Sequence, residues 1–177
     1  IMPSLVGSEM CIRDSAARDA RISEESGQDS PERGMRMKLS TRCRYGIHAM
    51  FDLAQNVGCG PQTIRAIAER QMVPEQYLEQ IIGTLRREGL VTSVRGAQGG
   101  YMLAREPSEI TIGELMRLLE GPVLMADCLG DADACVRSGQ CPSRLVWERL
   151  TDCINHVLDG ITLQDMLNDH KEMTRAE

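Results

Sequence analysis

The chain has 177 residues, 42% of them hydrophobic, a formal net charge of −6, and only one Trp, one Phe and three Tyr. That length admits one domain, or a small domain with an oligomerisation element, and the core must be aliphatic and Met-rich. No apolar run approaches the roughly 18 residues of a bilayer span, the opening residues lack a signal peptide's basic flank and apolar stretch, and seven cysteines without export signals point to reduced thiols in a cytoplasm.

Residues 1–34 show no hydrophobic periodicity and are rich in Ser, Arg, Asp and Glu, the composition of a disordered leader. Within them, Leu5–Ser15 resembles one reading frame of a transposase adapter used in DNA sequencing. Leu5–Ser15 is therefore set aside as an adapter artefact, and residues 16–34 as translated upstream DNA or a genuine but unstructured extension, with a natural start at Met35 or Met37. Charge then divides the remainder. Residues 35–105 carry ten Lys/Arg against five Asp/Glu, whereas residues 106–177 carry six against fourteen. A basic module joined to an acidic one is compatible with a nucleic-acid face on the first alone.

From Ser40 the pattern is helical, with Tyr45, Ile47, Ala49, Met50, Leu53, Ala54 and Val57 as apolar positions and Ser40 or Thr41 as its cap. Asn56–Pro61 ends it in loop chemistry. A short helix from about Thr63 presents Ile64, Ile67 and Ala68, and Met72-Val73 makes a tight turn. Pro74 then suits the first position of a third helix, striped by Leu78, Ile81, Ile82 and Leu85. The other face of that helix offers Gln76, Glu79, Gln80, Arg86 and Arg87. This is a helix-turn-helix pattern whose second helix enters a major groove. Gly89 closes it, and Leu90–Arg95 and Tyr101–Ala104 read as strands of a β-hairpin wing around Gly96–Gly100, with Arg95 at its root. Neither G-x-G-x-x-G nor a Gly-Lys-Ser/Thr ending is present, so the glycines suit a tip that approaches DNA rather than a nucleotide loop. A protein-binding winged helix is the alternative.

Thr111–Gly121 reads as a helix with a capping box completed by Glu114. Next comes a Gly/Asp-rich segment carrying Cys128, Cys135 and Cys141. Three thiolates suit an iron–sulfur or zinc site, but the spacing is not that of two C-x-x-C knuckles. A redox-sensitive thiol cluster and ordinary loop cysteines are the blander readings. Beyond it, Val146, Leu150, Cys153, Ile154, Val157, Leu158 and Ile161, with Trp147 as an anchor, form a long apolar stripe that the chain is too small to cover. It reads as a dimerisation helix with Cys153 as a packed thiol. No Ser-His-Asp, Cys-His or paired-carboxylate arrangement stands out, which argues against an enzyme.

Several motifs together, Met37–Gly46, Tyr77–Gln80, Leu85–Val91, Ser93–Tyr101, Ile112–Leu115, Val146-Trp147 and Ile161–Leu163, resemble the Rrf-type winged-helix transcriptional regulators and their IscR- and NsrR-like iron–sulfur branch. The resemblance covers essentially all of residues 37–167. It implies a mainly α fold with a small hairpin wing: a winged helix-turn-helix over 37–105, then a cysteine-loop sensing and dimerisation region over 106–177. It further implies a cytoplasmic homodimer on double-stranded operator DNA, with no membrane partner and no small-molecule substrate. The family's base-reading Tyr-x-Glu falls on Tyr77 and Glu79 and its wing arginine on Arg95, while Ser40, Arg42 and Gln80 take phosphate-positioning roles. Glu79 has the alternative of organising Arg86 or Arg87.

The same resemblance makes Cys128, Cys135 and Cys141 ligands of an iron–sulfur cluster, [2Fe-2S] ahead of [4Fe-4S], with zinc as the weaker alternative. Two departures matter. The first cysteine gap is six residues, one longer than in the iron–sulfur relatives, and Arg144 stands where they have the completing histidine. Arg44 likewise replaces the carboxylate that completes a [4Fe-4S] site across the dimer in other members. Cys43 beside it is a substitute fourth ligand, or a small residue packed in the first helix. The expected mechanism is a population shift: an ordered segment biases the spacing of the two DNA-reading heads. The rivals are a cluster-free regulator controlled by a metabolic enzyme partner and, in another class, an iron–sulfur or zinc redox protein.

Overall fold

The computed structural model describes residues 39–175 other than 97, 98, 132 and 134; the expectations for residues 1–34 and for the very tip of the wing lie outside the described residues. Helix α1 (Thr41–Gln55) starts where Ser40 takes an extended conformation and its Oγ accepts the Cys43 amide at 3.1 Å, meeting one of the orphan donors of a helix N-terminus. Cys43, Gly46, Ala49, Met50, Leu53 and Ala54 form its buried face. Val57, expected on that stripe, lies past the helix end and is exposed.

Helix α2 (Ile64–Gln71) is capped in the same way by Thr63, whose Oγ1 accepts the Ala66 amide. It stops at Met72, which adopts the left-handed conformation (φ +52°), so that buried Val73 turns back to the core and its amide reaches the Ala68 carbonyl. Helix α3 (Glu75–Arg87) begins one residue later than expected. Pro74 keeps an extended ψ of 127° and serves as the cap, its carbonyl accepting the Tyr77 and Leu78 amides. Leu78, Ile81, Ile82 and Leu85 fill the space between α1 and α2, each fully buried aliphatic contributing roughly 1.5–3 kcal/mol.

After Gly89 the chain forms the antiparallel hairpin β1 (Val91–Val94) and β2 (Gly100–Leu103), with Val91 opposite Leu103 and Val94 opposite Gly100. The wing is stitched to the α1–α2 loop by reciprocal bonds between Gln62 and Tyr101 of 2.8 and 2.9 Å. Gly100 permits this approach, since a Cβ there would sit 2.5 Å from the Gln62 carbonyl oxygen.

A 3-10 turn at Pro107–Glu109 leads to α4 (Ile112–Glu120), then come α5 (Asp127–Gly130), a 3-10 turn at Ser138–Gln140, α6 (Pro142–Gly160) and α7 (Leu163–Arg175). Thr111 caps α4 as expected, accepting the Glu114 amide. The reciprocal half of the capping box does not form: the Glu114 carboxylate bonds Arg105, while the chain at Thr111 pairs with Thr162. Helix α1 is the central element, packed by α2, α3, α4 and α7. Leu119 of α4 lies so close over Gly46 that a Cβ there would overlap its methyl group. Ile110, Leu115 and Leu163 join one core with the helix-turn-helix residues.

One buried charge organises the first half. Asp52 of α1 has no solvent exposure and receives two bonds from the Arg70 guanidinium, at 2.7 and 2.8 Å, and a third from Gln71 at 3.1 Å. Arg70 also donates to the Gln62 side chain. The fork therefore joins α1, α2 and the loop that carries the wing.

Candidate nucleic-acid interface and cysteine segment

Helix α3 exposes Gln76, Glu79, Gln80, Arg86 and Arg87 opposite its buried stripe. Tyr77 is half-buried, its ring edge-on to Tyr45 of α1 at 5.9 Å and 79°, a favourable aromatic arrangement that fixes where the phenol points. Arg42, Tyr77 and Gln80 line one open concavity of about 570 Å³, together with Thr84, Arg86 and Arg87. It has no acidic lining residue. Arg42 donates to the Thr84 hydroxyl at 3.1 Å.

The other expected residues stand apart from that concavity. Ser40 caps α1 with its side chain, while its own amide donates to Glu120 Oε1 at 2.6 Å. Glu79 is exposed, and among the described residues no hydrogen bond or ion pair ties it to Arg86 or Arg87. Arg95 is exposed where β1 ends. Exposed Glu79 and Arg95 can present a carboxylate to a cytosine amino group and a guanidinium fork to guanine or a narrow minor groove.

Cys128 lies half-buried in α5, Cys135 is exposed, and Cys141 is the half-buried cap of α6; all three are free thiols. In kind, these donors fit a thiophilic iron–sulfur centre. In number they are one short of four, because Arg144 cannot coordinate and is turned to Glu148 at 2.9 Å. Among the described residues no three Cys, His, Asp or Glu side chains are gathered closely enough to hold a metal ion. The segment is nevertheless tied to α6 at its start. Thr151, a buried polar residue, accepts the Met125 amide at 3.1 Å, and the Asn155 amide group donates to the Val123 carbonyl at 3.2 Å. Sequence reasoning missed both anchors; their only trace was two uncharged polar residues four positions apart on an amphipathic helix.

Two further cysteines carried expectations. Cys43, the substitute fourth ligand, is wholly buried in the core of α1. Burial, reinforced by the charge of Glu120 and a hydrogen bond to it, pushes its thiol up to about 11. That position among the core side chains is what its alternative role, a small packed residue of the first helix, requires. Cys153, expected to be packed within the dimerisation stripe, is exposed in the single chain along with most of that stripe: Leu145, Val146, Leu150 and Val157 are all between 40% and 57% exposed.

Residues 39–169 match the family profile of Rrf2, described as an iron-dependent transcriptional regulator. The chain belongs to the Rrf2 family. Its relatives include the HTH-type transcriptional regulator CymR of Bacillus subtilis, 42% identical over 130 residues that make up 73% of this chain and 89% of the relative. The regulator IscR of Escherichia coli is 36% identical over 135 residues, 76% of this chain and 83% of the relative. Among solved structures, T. potens IscR superposes with a TM-score of 0.65 at 48% identity, covering 77% of this chain and 90% of its own. The structure of CymR, the global cysteine regulator of B. subtilis, does so with 0.64 at 42%, covering 74% and 96%. As a member of the Rrf2 family the protein is a DNA-binding transcriptional regulator, and its mostly helical fold with one antiparallel hairpin is the winged helix expected from its sequence. Among the described residues no helix is long and apolar enough to cross a membrane.

Proposed function

We propose that this regulator works in the cytoplasm as a homodimer on double-stranded operator DNA, and that its affinity is set by an iron–sulfur centre on Cys128, Cys135 and Cys141. The observation that carries this reading is the placement of three free thiols on one segment anchored to α6 at both ends, by Thr151 and Asn155 before it and by Cys141 as the helix cap. Bound there, such a centre supplies reversible redox and ligand-exchange chemistry. The chain's own residues do the rest. Cys128, Cys135 and Cys141 hold the group as thiolates, and the segment between them orders against α6. The exposed stripe of α6 packs on its copy in a second chain, so ordering at the segment biases the spacing of the two DNA-reading heads. In each head Tyr77, Glu79 and Arg95 read bases, while Ser40, Arg42 and Gln80 set the register on phosphates.

Anaerobic purification followed by a visible spectrum and iron and sulfide analysis tests the proposal. Loss of the chromophore on replacing any one of the three cysteines, with altered operator affinity and an intact dimer, is the expected result. Colourless, iron-free protein prepared without oxygen refutes it. A second reading, a cluster-free regulator that responds through its thiols or a protein partner, is favoured by the missing fourth donor and by thiols not gathered among the described residues. It predicts colourless protein whose DNA affinity still changes on thiol oxidation.

A further inference from the structure

We propose that Thr84, on the recognition helix, is a positioning residue that gathers Arg42 of α1 and Arg87 of α3 into a clamp for one phosphodiester of the DNA backbone. This rests on the DNA-binding reading and adds to it a site and the residue that builds it. The Thr84 hydroxyl accepts from Arg42 Nη2 at 3.1 Å and from Arg87 Nη2 at 3.2 Å, and it donates to the Gln80 carbonyl at 3.1 Å. One donor and two acceptor sites are all that a hydroxyl has, so its capacity is complete and its orientation is fixed from three sides.

Two guanidinium groups drawn to one neutral oxygen repel each other, and among the described residues neither has a carboxylate partner. Each uses one of its five N–H donors on Thr84, which leaves the remainder for a ligand. With Arg86 on the same acid-free concavity, the arrangement calls for an anion. Favourable placement of cations at a helix C-terminus accounts for Arg86 and Arg87 but not for Arg42, which comes from another helix. A phosphate oxygen pair suits a guanidinium fork, and a bridge between α1 and α3 would hold the recognition helix at a fixed depth in the groove.

Binding to a random-sequence duplex, followed by fluorescence anisotropy across a salt series, needs no knowledge of the operator. Arg87→Ala should bind roughly tenfold more weakly at low salt, with a log–log salt slope shallower by about 0.9 for each clamp lost. Thr84→Val, which keeps shape and both charges, should weaken binding about threefold at an unchanged slope, and Thr84→Ser should restore it. In a chain already carrying Arg42→Ala and Arg87→Ala, Thr84→Val should have no further effect. Wild-type binding by Thr84→Val, or an equal cost with and without the two arginines, overturns the clamp. Should Thr84→Val melt early, Arg87→Ala decides: an unchanged slope overturns the proposal. A wild-type chain that fails to bind the duplex at low salt removes the DNA-binding reading itself.

Discussion

The helix-turn-helix and the α6 segment satisfy their apolar residues in opposite ways. In the first, Met50, Ile67, Leu78, Ile82 and Leu85 are buried within the one chain and even Asp52 is fully partnered. In the second, a comparable stripe from Val146 to Ile161 stays half-open, with Trp147 still 38% exposed. The contrast separates a region whose fold is finished by its own residues from one that is finished by something else, and a second copy packed about α6 is the simplest completion.

The sharpest way to break the comparison is at Asp52. Asp52→Ala removes the hub of the Arg70, Gln71 and Gln62 bonds and leaves a hole behind it, so chemical denaturation should report a loss of about 3 kcal/mol. A loss under 1 kcal/mol would show that the fork is replaceable by solvent. The companion change is on α6: Leu150→Glu with Val157→Glu should turn a dimer into a monomer by sedimentation. An unchanged sedimentation coefficient would put the dimer interface elsewhere.

The differences between expectation and structure follow the same divide. Ser40 and Thr111 were legible as caps because each sits directly before an apolar repeat, Thr63 was legible only as the start of its helix, and the buried faces of α1 and α3 were legible from their spacing. Asp52 was not, since a lone aspartate in a helix reads as a solvated residue until the arginine 18 positions later folds against it. Helix α7 was not read at all, since the stripe was followed only to Ile161, although Leu163, Met166 and Leu167 at helical spacing turn it back onto the core. The exposure of Cys153 was beyond a pattern that marks apolar positions without saying which chain covers them. The role of Thr84 needed Arg42 of α1 in place beside α3.

Two smaller effects sharpen the account of the finished region. Cys43 is neutral and buried, with a folded value of about 11 against an ordinary 9.0. Between those values the unfolded chain gives up its thiol proton while the folded chain keeps it, so stability should fall as pH rises from about 9 to about 11. Denaturant midpoints across that range should show the slope, and Cys43→Ala should remove that part of it. The least effect is expected at Met72, which is 89% exposed in a conformation that costs most side chains about 1 kcal/mol. Met72→Gly should raise the melting temperature slightly, and a lower one would mean that the thioether has a hidden partner.

The anchors at Thr151 and Asn155 have a consequence for conformational entropy. The segment leaves α6 at the level of Met125 and rejoins it at Cys141, so its two ends are pinned to the same rigid rod before any thiol moves. Bringing the ends of a free chain together costs a loop-closure term that grows only slowly with length, and here that term is settled when the protein folds. What remains is the local reorientation of the residues between the pins. On the proposed cluster reading, the tether lowers the entropic cost of drawing the three sulfurs together, because part of the ordering is complete before any thiol moves.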